Sequence, residues 1–575
     1  MSAGLALVAS SWTAAAAAAA EGAYTGRSAV GPSAAGSNGF LDSPFTLTAK
    51  SLSSQVGVDK QGGDPSTNGL CRSRKVYDFP EWGGNGPFEQ FVECPVPTKI
   101  QVTYKDGSKG PIECLDKNVS IHLGRNDQIP EGWPGDMTGP EFASALELGG
   151  CSYTRRSYLV ITEPGQTASV SAAIAANQGA VYATYDAIGV VVVHSSFSGF
   201  ASQMRLVPGV EKVGATRTSN VPAQAIGPIV APAPAQTVPT VDESVRPHMQ
   251  QIGADRAWDV TTGSNAVTVA VLDTGVDEQH YDLRDNFDAS KSASCAYGKL
   301  DTRPGAWRDL NVHGTFVAGT IAAARNGKGS IGVAPGVRIA SIRIGEAPNN
   351  MHAAENTICG LMFAGEKEVD VANLSFFTDP WTYNCPDDLD QAAILEGVTR
   401  AQTYAEDRGV LSVAAAGNNL PYGQDLANKT VDMSSPNDST PISRMITSEC
   451  KHIPAELPGV VAVSAIEADN RKSAWSNYGD NRIHVTAPGA GVYSTVPGGG
   501  YEEHIGTSVA APHVSGVAAL LLSRNPGMSP GDLRSALAGQ ADNLPCHDQC
   551  TGTTEKNSYF GEGRVNAYRA VGGQN

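Results

Sequence analysis

Two kinds of apolar pattern divide the chain. Short runs rich in aliphatic and β-branched residues recur at 267–272, 338–344, 369–374 and 410–414, the first of them unbroken. Runs of this length without polar alternation predict strands buried on both faces of a parallel sheet. Between them lie longer stretches of small residues, at 353–366, 391–406 and one opening at residue 313, that predict helices. Strand and helix in alternation predict an α/β domain over 246–575, a doubly wound, mostly parallel sheet with helices on both faces. Near its end Val514, Val517, Ala518 and Leu521 fall at i, i+3, i+4 and i+7, which predicts a helix burying one face, with Pro512 in its first turn. The tail at 530–540 and 561–571 predicts closing helices.

A second pattern precedes this domain. Strands are predicted at 158–162, 180–184, 189–194 and 210–213, with helices at 167–177 and 197–206. The βαββαβ order is that of a small ferredoxin-like α+β unit over 158–217. Residues 218–245 are rich in Pro, Ala and Val without either period, and predict an exposed linker in which a chain could be processed.

The first part of the chain is less patterned. Residues 1–20 are Ala-rich with an apolar patch at Leu5-Ala6-Leu7-Val8-Ala9, as a secretory signal peptide requires, although no Lys or Arg precedes the patch. Residues 21–44 read as a flexible Gly/Ser/Ala linker. The segment 45–155 holds Cys71, Cys94, Cys114 and Cys151 among many turn residues, and predicts a small disulfide-stapled β-rich module of unassigned role. Asn118-Val119-Ser120 matches a glycosylation acceptor. With ten cysteines in all, an oxidising, extracellular setting is expected, and Cys546 and Cys550 read as a small disulfide loop rather than a metal site. The formal net charge of -17 argues against nucleic acid or an anionic membrane as partner. No run outside the leader is long enough to span a bilayer.

Three short stretches carry the candidate chemistry. Asp273 closes the run 267–272 and is followed by Thr274-Gly275, at the carboxyl edge where open α/β sheets gather catalytic groups. His313-Gly314-Thr315 opens a small-residue helix. Gly506-Thr507-Ser508 delivers a serine to a helix start, where unpaired N–H groups and the dipole favour a developing oxyanion. Serine needs a base to take its proton, and imidazole is suited to that near neutral pH. His280 and His513 are the rival histidines; only His313 opens its own helix with Gly-Thr behind it.

Asp273-Thr274-Gly275, His313-Gly314-Thr315 and Gly506-Thr507-Ser508-Val509-Ala510-Ala511-Pro512-His513, in this order, resemble the three catalytic motifs of the subtilisin-like serine peptidases. The resemblance covers roughly 246–571. It implies a secreted serine endopeptidase acting on protein or peptide substrates, with Ser508 as nucleophile, His313 as base and Asp273 as its orienting partner. It implies an oxyanion donor at Asn418, no cofactor for catalysis, and an intramolecular inhibitor in the 158–217 unit. Substrate-binding positions carry over to Ser375, Phe376, Phe377 and Gly417, with the substrate added as a strand along Leu374-Ser375-Phe376-Phe377. Family members often have glycine where Phe377 stands, so either Phe377 narrows the pocket or the loop takes another route. Asn326 matches a calcium-ligating asparagine, which implies a structural calcium beside an unwelcome Lys328. The alternative is an inactive binding or inhibitory protein on the same scaffold.

Overall fold

The structure, a computed structural model, describes residues 155–221, 229, 238–347 and 349–574, together with the backbone of seven strands between residues 43 and 150. Those strands form two antiparallel sheets. One joins Ser43–Thr46, Arg72–Tyr77, Phe88–Glu93 and Ser120–Arg125; the other joins Lys109–Leu115, Thr98–Tyr104 and Phe142–Gly150. The expected leader, Cys71, Cys94, Cys151 and the side chain of Cys114 lie outside the described residues, as do 222–228 and 230–237 of the expected linker 218–245.

Residues 154–430 and 446–575 form one compact unit. Its first layer is a four-stranded antiparallel sheet in the order Val210–Ala215, Arg156–Thr162, Val190–Ser195, Gly179–Tyr185, with helices Thr167–Ala176 and Phe200–Met204. This is the ferredoxin-like arrangement. The second helix is shorter than its apolar pattern predicts, because Arg205 and Leu206 leave it in a turn toward Gly209. Every residue of Arg156–Thr162 is buried. Successive side chains of a strand point to opposite faces, and here both faces are covered. Tyr158 and Val160 pack on the unit's own helices with Val170, Ile174 and Phe200. Leu159 and Ile161 face the other way, onto Gly397 and Ile358 of the following domain.

That domain is built on seven strands, all parallel, in the order Ala293–Ser294, Arg338–Arg343, Thr268–Asp273, Val371–Leu374, Leu411–Ala415, Val461–Ile466, Val485–Pro488. The runs rich in aliphatic residues are therefore central strands. Helix Thr507–Arg524 packs across five of the seven. It departs from its expected form twice. All residues from Thr507 to Leu522 except Ser508 are buried, so it has no solvent face; a helix apolar all round belongs inside a large core. Its first helical residue is Thr507, which puts Pro512 in the second turn rather than the first. Helices Ala354–Glu366 and Leu389–Glu406 pack on each other and carry the ferredoxin-like sheet.

Disulfides join Cys295 to Cys359, Cys385 to Cys450, and Cys546 to Cys550, the last being the small loop expected. Among the described residues no helix is long and apolar enough to cross a membrane.

Candidate active site

Asp273 ends the strand Thr268–Asp273, and His313 is the first residue of helix His313–Ala322. Both are buried, and His313 Nδ1 lies 2.9 Å from each carboxylate oxygen of Asp273. A nitrogen facing a carboxylate carries the proton, which leaves Nε2 as the basic atom. The two elements meet closely because Gly314 has no side chain: a β-carbon there would lie 2.0 Å from Gly275 O. Thr274 ties them further, its hydroxyl accepting from Gly314 N at 2.9 Å and donating to Asp309 Oδ1 at 2.8 Å.

Asp309 is a second, half-buried carboxylate that sequence reading missed. It accepts from Thr315 N at 3.0 Å and from Asn311 N at 2.8 Å, and so fixes the turn that delivers His313. Burial pushes its carboxyl above the ordinary range, against hydrogen bonds from Thr315, Asn311 and Thr274. For His313, burial disfavours the imidazolium, but the charge and hydrogen bond of Asp273 and the more distant charge of Asp309 outweigh it. The pKa of His313 is raised above its usual value. The spacing Asp309-Leu310-Asn311-Val312-His313, two turn-forming side chains just before a helix, was the available signal.

Ser508 is half-buried at the second position of its helix, after Gly506 as N-cap. Its neighbour Val509 and Phe316 of the His313 helix belong to one apolar cluster, so the starts of the two helices converge. Gly506 has φ +147°, and a β-carbon added there would lie 2.9 Å from Ser508 Oγ, 3.5 Å from Asn418 Nδ2 and 3.6 Å from Ser508 N. One hydroxyl and two N–H donors thus surround a space that only glycine leaves open. Asn418 is held in that orientation by Thr507, whose backbone N–H and hydroxyl both donate to Asn418 Oδ1 at 2.9 Å. The same hydroxyl accepts from Gly417 N at 3.0 Å. Thr507 was not singled out from sequence; beside a serine at a helix start it reads as an ordinary capping residue.

Pro512 has no N–H to offer the carbonyl four residues earlier, which is that of Ser508. Ser375 fills the gap, its hydroxyl donating to Ser508 O at 2.7 Å while accepting from Asn373 Nδ2 at 2.7 Å. Asn373 Oδ1 in turn accepts from Ser515 Oγ at 2.8 Å. The Ser375 side chain, expected among the substrate contacts, therefore supports the backbone of Ser508.

The strand Val371–Leu374 is interior, paired on both sides, so a substrate strand has no sheet edge there. Residues 375–377 run on beyond its carboxyl end. Phe376 is buried and stacks on His352 with ring centroids 5.0 Å apart. Phe377 tilts over His452 at 5.7 Å, and a β-carbon at Gly417 would lie 2.6 Å from His452 Nε2. Phe377 and Gly417 are thus two walls against one histidine, which is fixed by Nδ1 donating to Thr382 O at 2.9 Å. No local pattern in the chain marks His452.

The rival histidines are structural in their contacts. His280 sets Nε2 3.1 Å from Gly500 O, and its Nδ1 accepts from Asp282 N at 3.2 Å. His513 lies within the Ser508 helix itself, its ring against Val509 O and His248, both at 2.9 Å, and burial pushes its pKa down to about 4.

Asn326 does not fit a calcium ligand as arranged. Its Nδ2 donates to Asp282 Oδ1 at 3.0 Å, and its Oδ1 accepts from Lys328 N at 3.1 Å. The other Asp282 oxygen accepts from Ser330 N at 2.9 Å and Tyr501 OH at 2.8 Å. Donors occupy the oxygens that a hard cation would need in number, and Lys328 pairs with Asp242 beside them. Among the described residues no group of three or more His, Cys, Asp and Glu could hold a metal.

Comparison with known proteins agrees with this geometry. The sequence profile of the subtilase family matches residues 264–563. A thermophilic serine proteinase of Bacillus sp. (strain AK1) is 34% identical over 323 residues, covering 56% of this chain and 66% of that protein. Thermitase of Thermoactinomyces vulgaris is 33% identical over 325 residues, covering 56% of this chain and 94% of that protein. The crystal structure of an epidermin leader peptide processing serine protease from Staphylococcus aureus superposes with a TM-score of 0.57 at 21% identity, covering 72% of this chain and 98% of that one. At that identity it speaks for the fold alone.

Proposed function

This chain belongs to the subtilase family of serine peptidases, and on that premise we propose that it is a secreted serine endopeptidase made as a self-inhibited zymogen. The observation that carries the reading is the space at Gly506, with Ser508 Oγ, Asn418 Nδ2 and Ser508 N around it. Ser508 Oγ attacks the peptide carbonyl, and His313 Nε2 takes its proton. Asp273 holds the imidazole by Nδ1 and stabilises the cation that forms. The tetrahedral oxygen receives N–H bonds from Asn418 and Ser508. Breakdown transfers the proton from His313 to the leaving amine and leaves an acyl-Ser508, which water hydrolyses by the same base.

The inhibitory role of residues 155–221 is supported by where the unit lies. It covers helices Ala354–Glu366 and Leu389–Glu406 with both apolar and charged contacts, Arg205 to Asp390 at 3.0 Å and Lys212 to Glu396 at 2.6 Å among them. Secretion rests on the Ala-rich leader and the three disulfides. The test is hydrolysis of an unfolded protein such as reduced casein. Cleavage by the purified chain and none by its Ser508→Ala variant is expected; equal cleavage by both contradicts the assignment.

A further inference from the structure

Most charged contacts between the 155–221 unit and the peptidase domain are rim contacts. The partners of the Arg205–Asp390 and Lys212–Glu396 pairs keep between 27% and 40% of their side-chain surface. Arg217 differs: its side chain is 1% exposed, and it enters the peptidase domain between Glu346 and Glu355, themselves buried. Its Nε donates to Glu355 Oε1 at 2.7 Å, while Nη1 donates to Glu346 Oε2 at 2.9 Å and Nη2 to Glu346 Oε1. Asn356 Nδ2 bridges Glu346 Oε1 and Ile344 O, both at 2.9 Å, and so fixes the fork of the receiving carboxylate. Two buried acceptors of the pocket, Glu355 Oε2 and Asn356 Oδ1, have no hydrogen-bond partner. The receptor holds two carboxylates for one guanidinium, and its capacity exceeds what Arg217 uses.

The pocket adjoins the catalytic strand edge. Gly345, next to Glu346, donates its N–H to Asp273 O at 3.2 Å, and Glu346 N donates to Met351 O at 3.0 Å. The latter bond closes the loop that brings His352 against Phe376. Everything that forms the receptor belongs to the peptidase domain, and its occupant belongs to the unit proposed to leave. Two carboxylates held this close and left without their guanidinium disfavour the empty, doubly charged pocket. The vacated pocket therefore selects for another planar, bidentate cation, which lysine does not supply.

We propose that Glu346, Glu355 and Asn356 form a guanidinium-binding subsite of the peptidase domain, filled by Arg217 in the intact chain and by an arginine side chain of the substrate once residues 155–221 have left. This rests on the zymogen reading above and adds a substrate class to it.

Two measurements separate the site from that reading. In the full-length Ser508→Ala chain, Arg217→Ala lowers the melting temperature, and millimolar methylguanidinium returns at least half of the loss where methylammonium at equal concentration returns none. No recovery with methylguanidinium overturns the site itself. In the processed enzyme, peptides carrying arginine or its uncharged isostere citrulline are compared at successive positions upstream of the cleaved bond. An arginine preference of at least about tenfold in kcat/KM at one position is expected, falling toward unity in Glu346→Gln. Equal kcat/KM at every position overturns the substrate assignment. A chain that hydrolyses none of the peptides contradicts the peptidase reading and the substrate half of the proposal with it, whereas the rescue result is decided without catalysis.

Discussion

The hydroxyl of Ser375 donates to the main-chain carbonyl of Ser508 at 2.7 Å, the hydrogen bond that Pro512 cannot make. A side chain 133 residues away thus completes the helix at its nucleophile. Ser375→Ala leaves that carbonyl without its donor, with an expected loss of about 1–3 kcal/mol and a lower kcat. In a Pro512→Ala background the new N–H reaches the same carbonyl, and the loss on Ser375→Ala shrinks. Denaturant unfolding of the four proteins of this cycle gives the coupling. Additive losses contradict the relationship.

Thr507 sets the direction of the Asn418 amide. Thr507→Val removes the hydroxyl that bridges Gly417 N and Asn418 Oδ1 but keeps the backbone donor. The expected effect is a fall in kcat of ~10-fold with KM little changed, smaller than the ~10²–10³ expected for Asn418→Ala, which removes an oxyanion donor outright. Steady-state kinetics on one peptide substrate settles it; a change confined to KM contradicts the assignment.

The raised pKa of His313 places the acid limb of kcat/KM above the usual histidine range, since only the neutral imidazole accepts the serine proton. Asp309→Asn removes a negative charge that favours the imidazolium, so the limb moves to lower pH. The raised value also has a stability sign. It contributes stability that is fully present below the unfolded pKa and is lost as pH rises through the folded one. A limb that moves to higher pH in Asp309→Asn contradicts the electrostatic account.

Around Asn326, Asp282 is satisfied by amide and hydroxyl donors instead of a cation. A ligand bound to the folded state raises its melting temperature by mass action. Neither EDTA nor millimolar calcium is expected to shift the melting temperature through this loop. A calcium-dependent rise that Asn326→Ala abolishes contradicts that expectation.

How far the molecule was legible depended on the range of the signal. Asp273, His313 and Ser508 each stand in a local context of strand end, Gly-Thr or helix start, and the buried strands announce themselves as short runs rich in aliphatic and β-branched residues. The ferredoxin-like unit was legible for the same reason. What stayed hidden acts across long separations. Ser375 serves a carbonyl exposed by a proline in another segment, and His452 meets Phe377 only in the folded chain. Arg217 finds Glu346 across 129 residues and Glu355 across 138. No periodicity records such pairings. The helix at Ser508 misled for another reason: its i, i+3, i+4, i+7 pattern described one face, whereas small residues on the others let sheet and helices cover it all round.

The central claim is that Ser508 is a nucleophile activated by His313 and Asp273 and released by removal of the N-terminal unit. Its most direct test is labelling of the secreted protein with a fluorophosphonate, beside a Ser508→Ala control, followed by intact mass. The account predicts a label at Ser508 on a product with a mass near that of residues 246–575. Full-length protein that stays unlabelled even after thermolysin, which cuts beside the aliphatic residues of the 218–245 linker, has opened it would contradict it.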